Sequence, residues 1–397
     1  MSTVAAHRVT RERLPLGAFA LSRVLVLAAG IASAVALPRF QGWWRFDPSR
    51  VSSHLGALGN VLAAAAVRWD SIHYLTIAGH GYAQASDTVF FPLYPLLIRA
   101  LGVLTGSDVV AAVAISASAF ALALVLLHRL TELELGRRAA RATVLLLAFA
   151  PQSFFFTAVY TESLFLALSV GALYASRRGR LPLAAALAAL AAITRVPGVL
   201  LAIPLAIEWR RERRRLGWLA LPPAALASYL GYVAARGFGP MAPFLQQTVG
   251  GHGHRMTGPL DTIGAAVQAA ASGLGSIVGH GEPLYARGLG GGLTYPAKSV
   301  LLLLVLIAAA VALRSAFRRL PLGYGVYAAG LLLVCIWSPV NEQPLLSLDR
   351  YTLTIFPLWM AAGAWLAERR LTRASVIACA PLLALWTMQF AAWTFVA

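Results

Sequence analysis

Apolar runs of about 15 to 25 residues follow one another along almost the whole chain, separated by short arginine clusters. A helix needs roughly 20 consecutive apolar residues to cross the ~30 Å hydrocarbon core of a bilayer. Inside that core every backbone N–H and C=O must be paired within the protein. A chain made of such runs is therefore an all-α, polytopic membrane protein. With 59% hydrophobic and only 12% charged residues, it also lacks the polar surface that a soluble globule requires. A β-barrel is disfavoured because the runs are continuous and rich in Ala and Leu rather than alternating.

The formal net charge of +18 would indicate nucleic acid in a soluble protein, but its placement here explains it by membrane orientation instead. The basic residues gather between runs: Arg8, Arg11 and Arg13, with Arg23; Arg129, Arg137, Arg138 and Arg141; Arg177, Arg178 and Arg180; Arg210 through Arg215; Arg314, Arg318 and Arg319; Arg369, Arg370 and Arg373. Positively charged loops stay in the cytoplasm. Placing all of these inside gives about eleven transmembrane helices, near 19–37, 107–127, 142–158, 161–176, 182–194, 196–209, 216–235, 298–313, 321–338, 352–367 and 374–394. The N-terminus is then cytoplasmic, and the first run reads as a retained helix rather than a cleaved signal. The stretch 182–209 lies between two inside clusters, which predicts two short helices meeting at Thr194-Arg195-Val196-Pro197-Gly198 with Arg195 at the outer face. Cys335 and Cys379 lie inside apolar runs, so no disulfide framework follows. No linker sets off a soluble unit, and residues 1–397 read as one transmembrane domain of the cell membrane.

The chemistry-bearing residues fall in the segments this topology places outside. The first external loop, about 38–106, carries Trp43, Trp44, Asp47, the run Arg68-Trp69-Asp70-Ser71-Ile72-His73-Tyr74 and the run Phe90-Phe91-Pro92-Leu93-Tyr94-Pro95. From Phe90 to Leu101 the chain is too short and proline-rich to span, which predicts an interfacial helix. A second long external loop, about 237–297, is rich in Gly and His and reads as mobile. A short one, 339–351, holds Asn341, Glu342, Asp349, Arg350 and Tyr351.

Asp70 is the leading candidate, because an ionised acid beside hydrocarbon is costly without a role or partners. A carboxylate there can accept a proton from an attacking hydroxyl, with Arg68, His73 and Tyr74 at hand to hold it. The structural alternative is a helix N-cap for Ser71 onward. Trp69 equally suits an interfacial anchor. Arg195 and Arg350 sit at predicted outer helix ends, where a guanidinium matches a lipid phosphate or snorkels to the headgroups. Glu162, in Tyr160-Thr161-Glu162-Ser163, suits sugar hydroxyls or a helix cap. His252 and His254 lie in a flexible Gly-rich segment with no acid nearby, so no metal site is assigned.

These residues, in order, resemble the PIG-V-like mannosyltransferases, the family of GPI mannosyltransferase II, and more broadly the GT-C glycosyltransferases. The resemblance rests on Arg68-Trp69-Asp70 with His73 and Tyr74, Gly81-Tyr82, Phe90 to Pro95, Tyr160-Thr161-Glu162-Ser163-Leu164-Phe165, Thr194-Arg195 with Gly198, and Leu348-Asp349-Arg350-Tyr351 leading to Phe356-Pro357. It implies a GT-C-like bundle with interfacial helices in the first external loop. It also implies inverting transfer of mannose from a polyprenyl-phosphate-mannose donor, without a nucleotide sugar; a divalent metal is not favoured and its requirement stays open. Carried onto this chain, Asp70 is the catalytic residue and Arg195 and Arg350 bind the donor phosphate. Arg68, Trp69, His73, Tyr94, Glu162, Asp349 and Tyr351 are expected at the sugar or acceptor. One lysine, Lys298, against 32 arginines marks a GC-rich bacterial genome, so the expected acceptor is an envelope glycolipid, glycan or protein. Another polyprenyl-phosphate sugar, or a lipid-linked sugar flippase, is the competing reading. A flippase places its polar groups near the bilayer midplane, whereas here they gather at one face.

Overall fold

The computed structural model describes residues 3–53, 55–210, 213–249, 257–286, 292–337, 339–340 and 343–396. Its helices are α1 (Thr3–Ala36), α2 (Gly56–Leu62), α3 (Ser71–His80), α4 (Leu93–Thr105), α5 (Asp108–Ala148), α6 (Glu162–Arg177), α7 (Leu181–Ala192), α8 (Ala202–Trp209), α9 (Leu221–Ala235), α10 (Ala242–Val249), α11 (Pro259–His280), α12 (Tyr295–Arg319), α13 (Leu322–Trp337), α14 (Leu348–Tyr351), α15 (Phe356–Glu368) and α16 (Thr372–Ala391). The chain is a multi-pass, all-helical membrane protein. Among the described residues, six helices are long and apolar enough to cross a bilayer: residues 13–36, α5, residues 216–235, α11, α12 and α16.

Helix lengths correct the expected eleven crossings in two places. In a third they keep two expected runs apart: the 41 residues of α5 are two helices that meet at Gly136 (φ 84°, ψ 170°), a left-handed backbone that glycine adopts without strain. The run 142–158 leaves the helix at Ala148, because Pro151 disfavours helical backbone in the residue before it. The rest of that run is a turn and a 3-10 segment, Ser153–Phe156. The segment 237–297 is not one mobile loop: it contains α10 and the 22-residue α11, with α11 packed along α12. Glycine makes that packing possible, since a Cβ on Gly273 would lie 2.7 Å from the Pro296 carbonyl oxygen. His252 and His254, like Asn341 and Glu342, lie outside the described residues.

The expected hairpin at 194–198 is present. The α7 helix ends at Ala192 and a 3-10 turn, Val196–Leu201, leads into α8. A Cβ on Gly198 would meet the Ala191 backbone at 2.2 Å, so the reversal requires glycine. The first external loop likewise folds into α3 and α4, the latter covering the stretch expected to be interfacial.

Two apolar clusters organise the molecule. The larger runs through α5, α6, α7, α12, α13 and α15. The smaller gathers the first external loop with α3, α4, the start of α5, and Tyr229 and Val233 of α9. The α5 and α15 helices touch closely at Gly363, where a Cβ would sit 2.7 Å from the Thr143 backbone nitrogen.

Arg23 does not belong with the arginine clusters expected in the cytoplasm. It projects from α1 to donate to the Ala148 carbonyl (3.3 Å), the Ser153 carbonyl (2.8 Å) and hydroxyl (2.7 Å), and the Thr157 hydroxyl (3.0 Å). It thus satisfies the carbonyls freed where α5 ends, and a cation suits a helix C-terminus.

Candidate active site

The Trp69-Asp70 peptide is held by its backbone. Trp69 has φ +55°, a conformation a bulky residue adopts only when its surroundings impose it. Those surroundings are Phe46, Phe395 and Trp393, with ring centroids 4.5, 5.3 and 6.0 Å from Trp69. The Tyr160 hydroxyl accepts from the Asp70 N–H and donates to the Arg68 carbonyl, both at 3.2 Å. One phenol therefore braces the chain on either side of Trp69. Burial pushes the Tyr160 hydroxyl well above its ordinary range, so it serves here as a neutral donor.

Asp70 stands at the N-cap position of α3, but its backbone is helical and its side chain makes no capping bond. Its carboxylate instead pairs with Arg350, Nη1 to Oδ2 at 3.0 Å. The N-cap alternative does not describe this residue.

Arg350 is the hub of the site. It lies on α14, four residues entered through Ser347 at φ +65°. Besides Asp70 it reaches Glu162, Nε to Oε1 at 3.5 Å, and the same Glu162 oxygen pairs with Arg195 Nη1 at 3.0 Å. Tyr160, Tyr351 and Phe155 surround the guanidinium at 5.4, 4.9 and 5.5 Å from their ring centroids, and Arg195 lies 5.3 Å from the Tyr351 ring. Burial works against the Arg350 charge, but Tyr351, Asp70 and Glu162 outweigh it and hold the guanidinium protonated beyond its usual range. The result is a chain of alternating charge, Asp70–Arg350–Glu162–Arg195, drawn from α3, α14, α6 and the 194–198 turn. Exposure falls from 38% at the Asp70 side chain to 1% at Glu162. Glu162 Oε2 and Arg350 Nε are buried with no hydrogen-bond partner among the described residues, so the chain has capacity left for a ligand.

The other expected contacts are occupied elsewhere. Arg68 is buried and donates to the Ala391 and Val67 carbonyls at 2.9 and 2.7 Å, over the Trp393 ring. Tyr94 is fully buried and bonds the Ala112 carbonyl and Ser116 hydroxyl, pinning α4 to α5. Trp69 is walled in by the rings already described. His73 is exposed and stacks on Phe90 at 4.6 Å, three residues along α3 from Asp70. Asp349 faces away from Arg350's partners, toward Lys298 at 3.1 Å. Tyr160, Lys298 and the 393–396 segment escaped the sequence reading as site-builders. Their only signals were the run Tyr160-Thr161-Glu162 and the singularity of Lys298. Among the described residues no three His, Cys, Asp or Glu side chains gather as a metal site.

Comparison with known proteins bears on these same residues. The family described as mannosyltransferase (PIG-V) matches residues 18–205, which include Asp70, Tyr160, Glu162 and Arg195. Over that stretch the chain is PIG-V-like. It is 33% identical over 184 residues to GPI mannosyltransferase 2 of Yarrowia lipolytica, covering 46% of this chain and 48% of that protein. It is 37% identical over 167 residues to GPI alpha-1,6-mannosyltransferase 2 of Rattus norvegicus, covering 39% of this chain and 34% of that protein. The match thus spans about half or less of the length of these curated PIG-V relatives. Among solved structures, the Archaeoglobus fulgidus oligosaccharyltransferase in complex with Zn and sulfate aligns with 97% of this chain and 53% of its own, at 13% identity and TM-score 0.46.

Proposed function

We propose that this PIG-V-like chain transfers mannose from a polyprenyl-phosphate donor to a hydroxyl of an envelope glycolipid, glycan or protein, on a GT-C-type bundle whose site faces outward from the cell membrane. The observation that carries the reading is the Asp70–Arg350 pair. A carboxylate fit to take a proton touches a guanidinium fit to hold a phosphate, and both join the buried Glu162–Arg195 pair, inside and beside the region that matches the mannosyltransferases.

The reaction needs little more. The acceptor oxygen attacks the anomeric carbon from the face opposite the phosphate, the carbon–oxygen bond to phosphate breaks, and the configuration inverts. Asp70 takes the acceptor's proton. The leaving phosphate carries its charge to Arg350 and Arg195, donors already oriented before the reaction. Because phosphate is a good leaving group, positioning and charge stabilisation supply most of the rate. Binding the donor exchanges one anionic partner of Arg350 for another. A contact pair near 4 Å is worth about 4 kcal/mol at an effective dielectric of 20, so the exchange is near balance and frees Asp70 to face the acceptor. Glu162 Oε2 is placed to accept from a sugar hydroxyl.

The test is an assay of the purified full-length chain in lipid with labelled polyprenyl-phosphate-mannose and a range of hydroxylated acceptors. Inverted mannoside product is expected. A chain that binds the donor and moves the lipid across vesicles without forming a mannoside would sink this reading in favour of a flippase.

A further inference from the structure

Lys298 is the only lysine in the chain, and it sits where a lysine is least expected. It occupies the first turn of α12, where the helix dipole disfavours a cation, and it is buried at 8% exposure. Its ammonium makes two bonds behind the site: 3.1 Å to Asp349 Oδ2 and 2.7 Å to the Val396 carbonyl. Gln152 ties together the same two groups, Asp349 Oδ2 and the Val396 carbonyl.

Each of those groups adjoins one partner of the Asp70–Arg350 pair. Asp349 precedes Arg350 on a helix of four residues, too short to set its own orientation. Asp349 also accepts from the Arg350 backbone N–H at 3.1 Å. On the other side, Val396 follows Phe395, which together with Trp393 walls in Trp69, the residue before Asp70. A single ammonium thus stands behind the arginine through Asp349 and behind the carboxylate through the C-terminal segment.

We propose that Lys298 is a positioning residue, a clamp that sets the Asp70–Arg350 separation by holding Asp349 and Val396 together. A compact ammonium suits this junction, whereas a planar guanidinium with its fixed fork does not, which accounts for a lysine in a chain that otherwise uses arginine. The proposal rests on Asp70 and Arg350 forming the reactive pair. A cavity of about 160 Å³ adjoins the clamp, lined by Lys298 with Tyr295, Gln343, Trp386 and Phe395 among others, and it offers small cations a way in.

The experiment compares full-length wild type, Lys298→Ala and Lys298→Met in kcat and KM for polyprenyl-phosphate-mannose, alongside thermal melts. Folded variants are expected to lose about 10- to 100-fold in kcat with KM within about threefold, as misplaced reacting groups do. Methylammonium or ethylammonium is expected to restore part of the rate in Lys298→Ala, and not in Lys298→Met, whose side chain fills the space. A wild-type kcat in either folded variant, or a loss in Lys298→Ala that no alkylammonium reverses, overturns the clamp. Should neither variant fold, ¹⁵N-lysine labelling gives the wild type a single Nζ resonance. Asp349→Asn must shift it, and an unmoved resonance overturns the clamp. A wild type that transfers no mannose sinks the activity reading instead, and the Nζ resonance then decides the clamp by itself.

Discussion

Two arginine–carboxylate networks lie at different places in this bundle, and only one has polar atoms to spare. Among the arginine clusters expected in the cytoplasm, Arg177 pairs with Glu134 at 2.6 Å and Glu208 at 3.3 Å, the Tyr324 hydroxyl donates to Glu134 at 2.9 Å, and the Ser176 hydroxyl donates to Glu208. Both carboxylates there have protein donors. The network simply joins α5, α6, α8 and α13. In the Asp70–Arg350–Glu162–Arg195 chain, an oxygen of Glu162 and a nitrogen of Arg350 are buried without hydrogen-bond partners among the described residues. Leaving such atoms unmet costs roughly 1–3 kcal/mol each, a cost that a ligand relieves. The comparison teaches that charge pairing is common to both networks, and that they differ in the pairing capacity the Asp70 chain leaves unmet.

The sharpest way to break the contrast is Asp70→Asn. It is expected to lower kcat by about 10²- to 10⁴-fold, the usual worth of a general base, with donor KM little changed. A wild-type rate in the folded variant ends the assignment. Next comes Arg350→Gln, which removes the hub and leaves Glu162 paired with Arg195 alone. A loss of about 10²- to 10³-fold in kcat/KM is expected, of the order of one lost transition-state donor, together with weaker polyprenyl-phosphate binding. Binding equal to wild type would show that the phosphate sits elsewhere. Glu162→Gln keeps shape and loses charge, and leaves Arg195 and Arg350 to repel one another. A fall of about tenfold is expected, with donor affinity unchanged or raised, because two arginines then seek an anion.

The Arg177 network should respond quite differently. Arg177→Gln is expected to lower the melting temperature while leaving kcat within about twofold. A larger kcat change would mean the two regions are coupled. The smallest effect belongs to Arg319 and Glu368, which form an exposed pair. The Arg319 hydrogen bond holds the Glu368 carboxyl below its usual range. A depressed carboxylate contributes stability above its unfolded pKa and loses it as pH falls through the folded value. Melting curves for Glu368→Gln and wild type should therefore differ slightly at neutral pH and converge in acid. Exposed pairs are worth little, so a large separation would contradict the assignment of this pair to the surface.

Much of the site could be read from the chain because it is built from residue types that are costly beside hydrocarbon. Asp70, Arg195 and Arg350 stand out on those grounds and Glu162 by its place where two helices turn, and the fold brings all four into one contact chain. What could not be read was direction. Asp349 and Arg350 are neighbours in sequence, but consecutive residues on a helix point about 100° apart. One therefore faces Lys298 and the other Asp70. Trp69 and Asp70 are separated in the same way by a left-handed backbone that no local rule would assign to tryptophan. Arg68 sits in Asp70's motif and Tyr94 in the one that follows, but their donors are spent on backbone carbonyls in the protein's own framework. Arg23 was misplaced because it counts as positive charge near a helix end, while its actual role is to satisfy carbonyls from another part of the chain.

The sequence by itself determined that this is a helical membrane protein and which acids and arginines need explaining, because hydropathy and charge act locally and are paid residue by residue. Only the tertiary structure decided that α11 is a helix packed on α12, that Asp70 answers to Arg350 rather than to its own helix, and that Lys298 stands behind both. The last two depend on pairings between residues 51 and 280 positions apart, and such pairings are set by how the helices pack rather than by any local pattern.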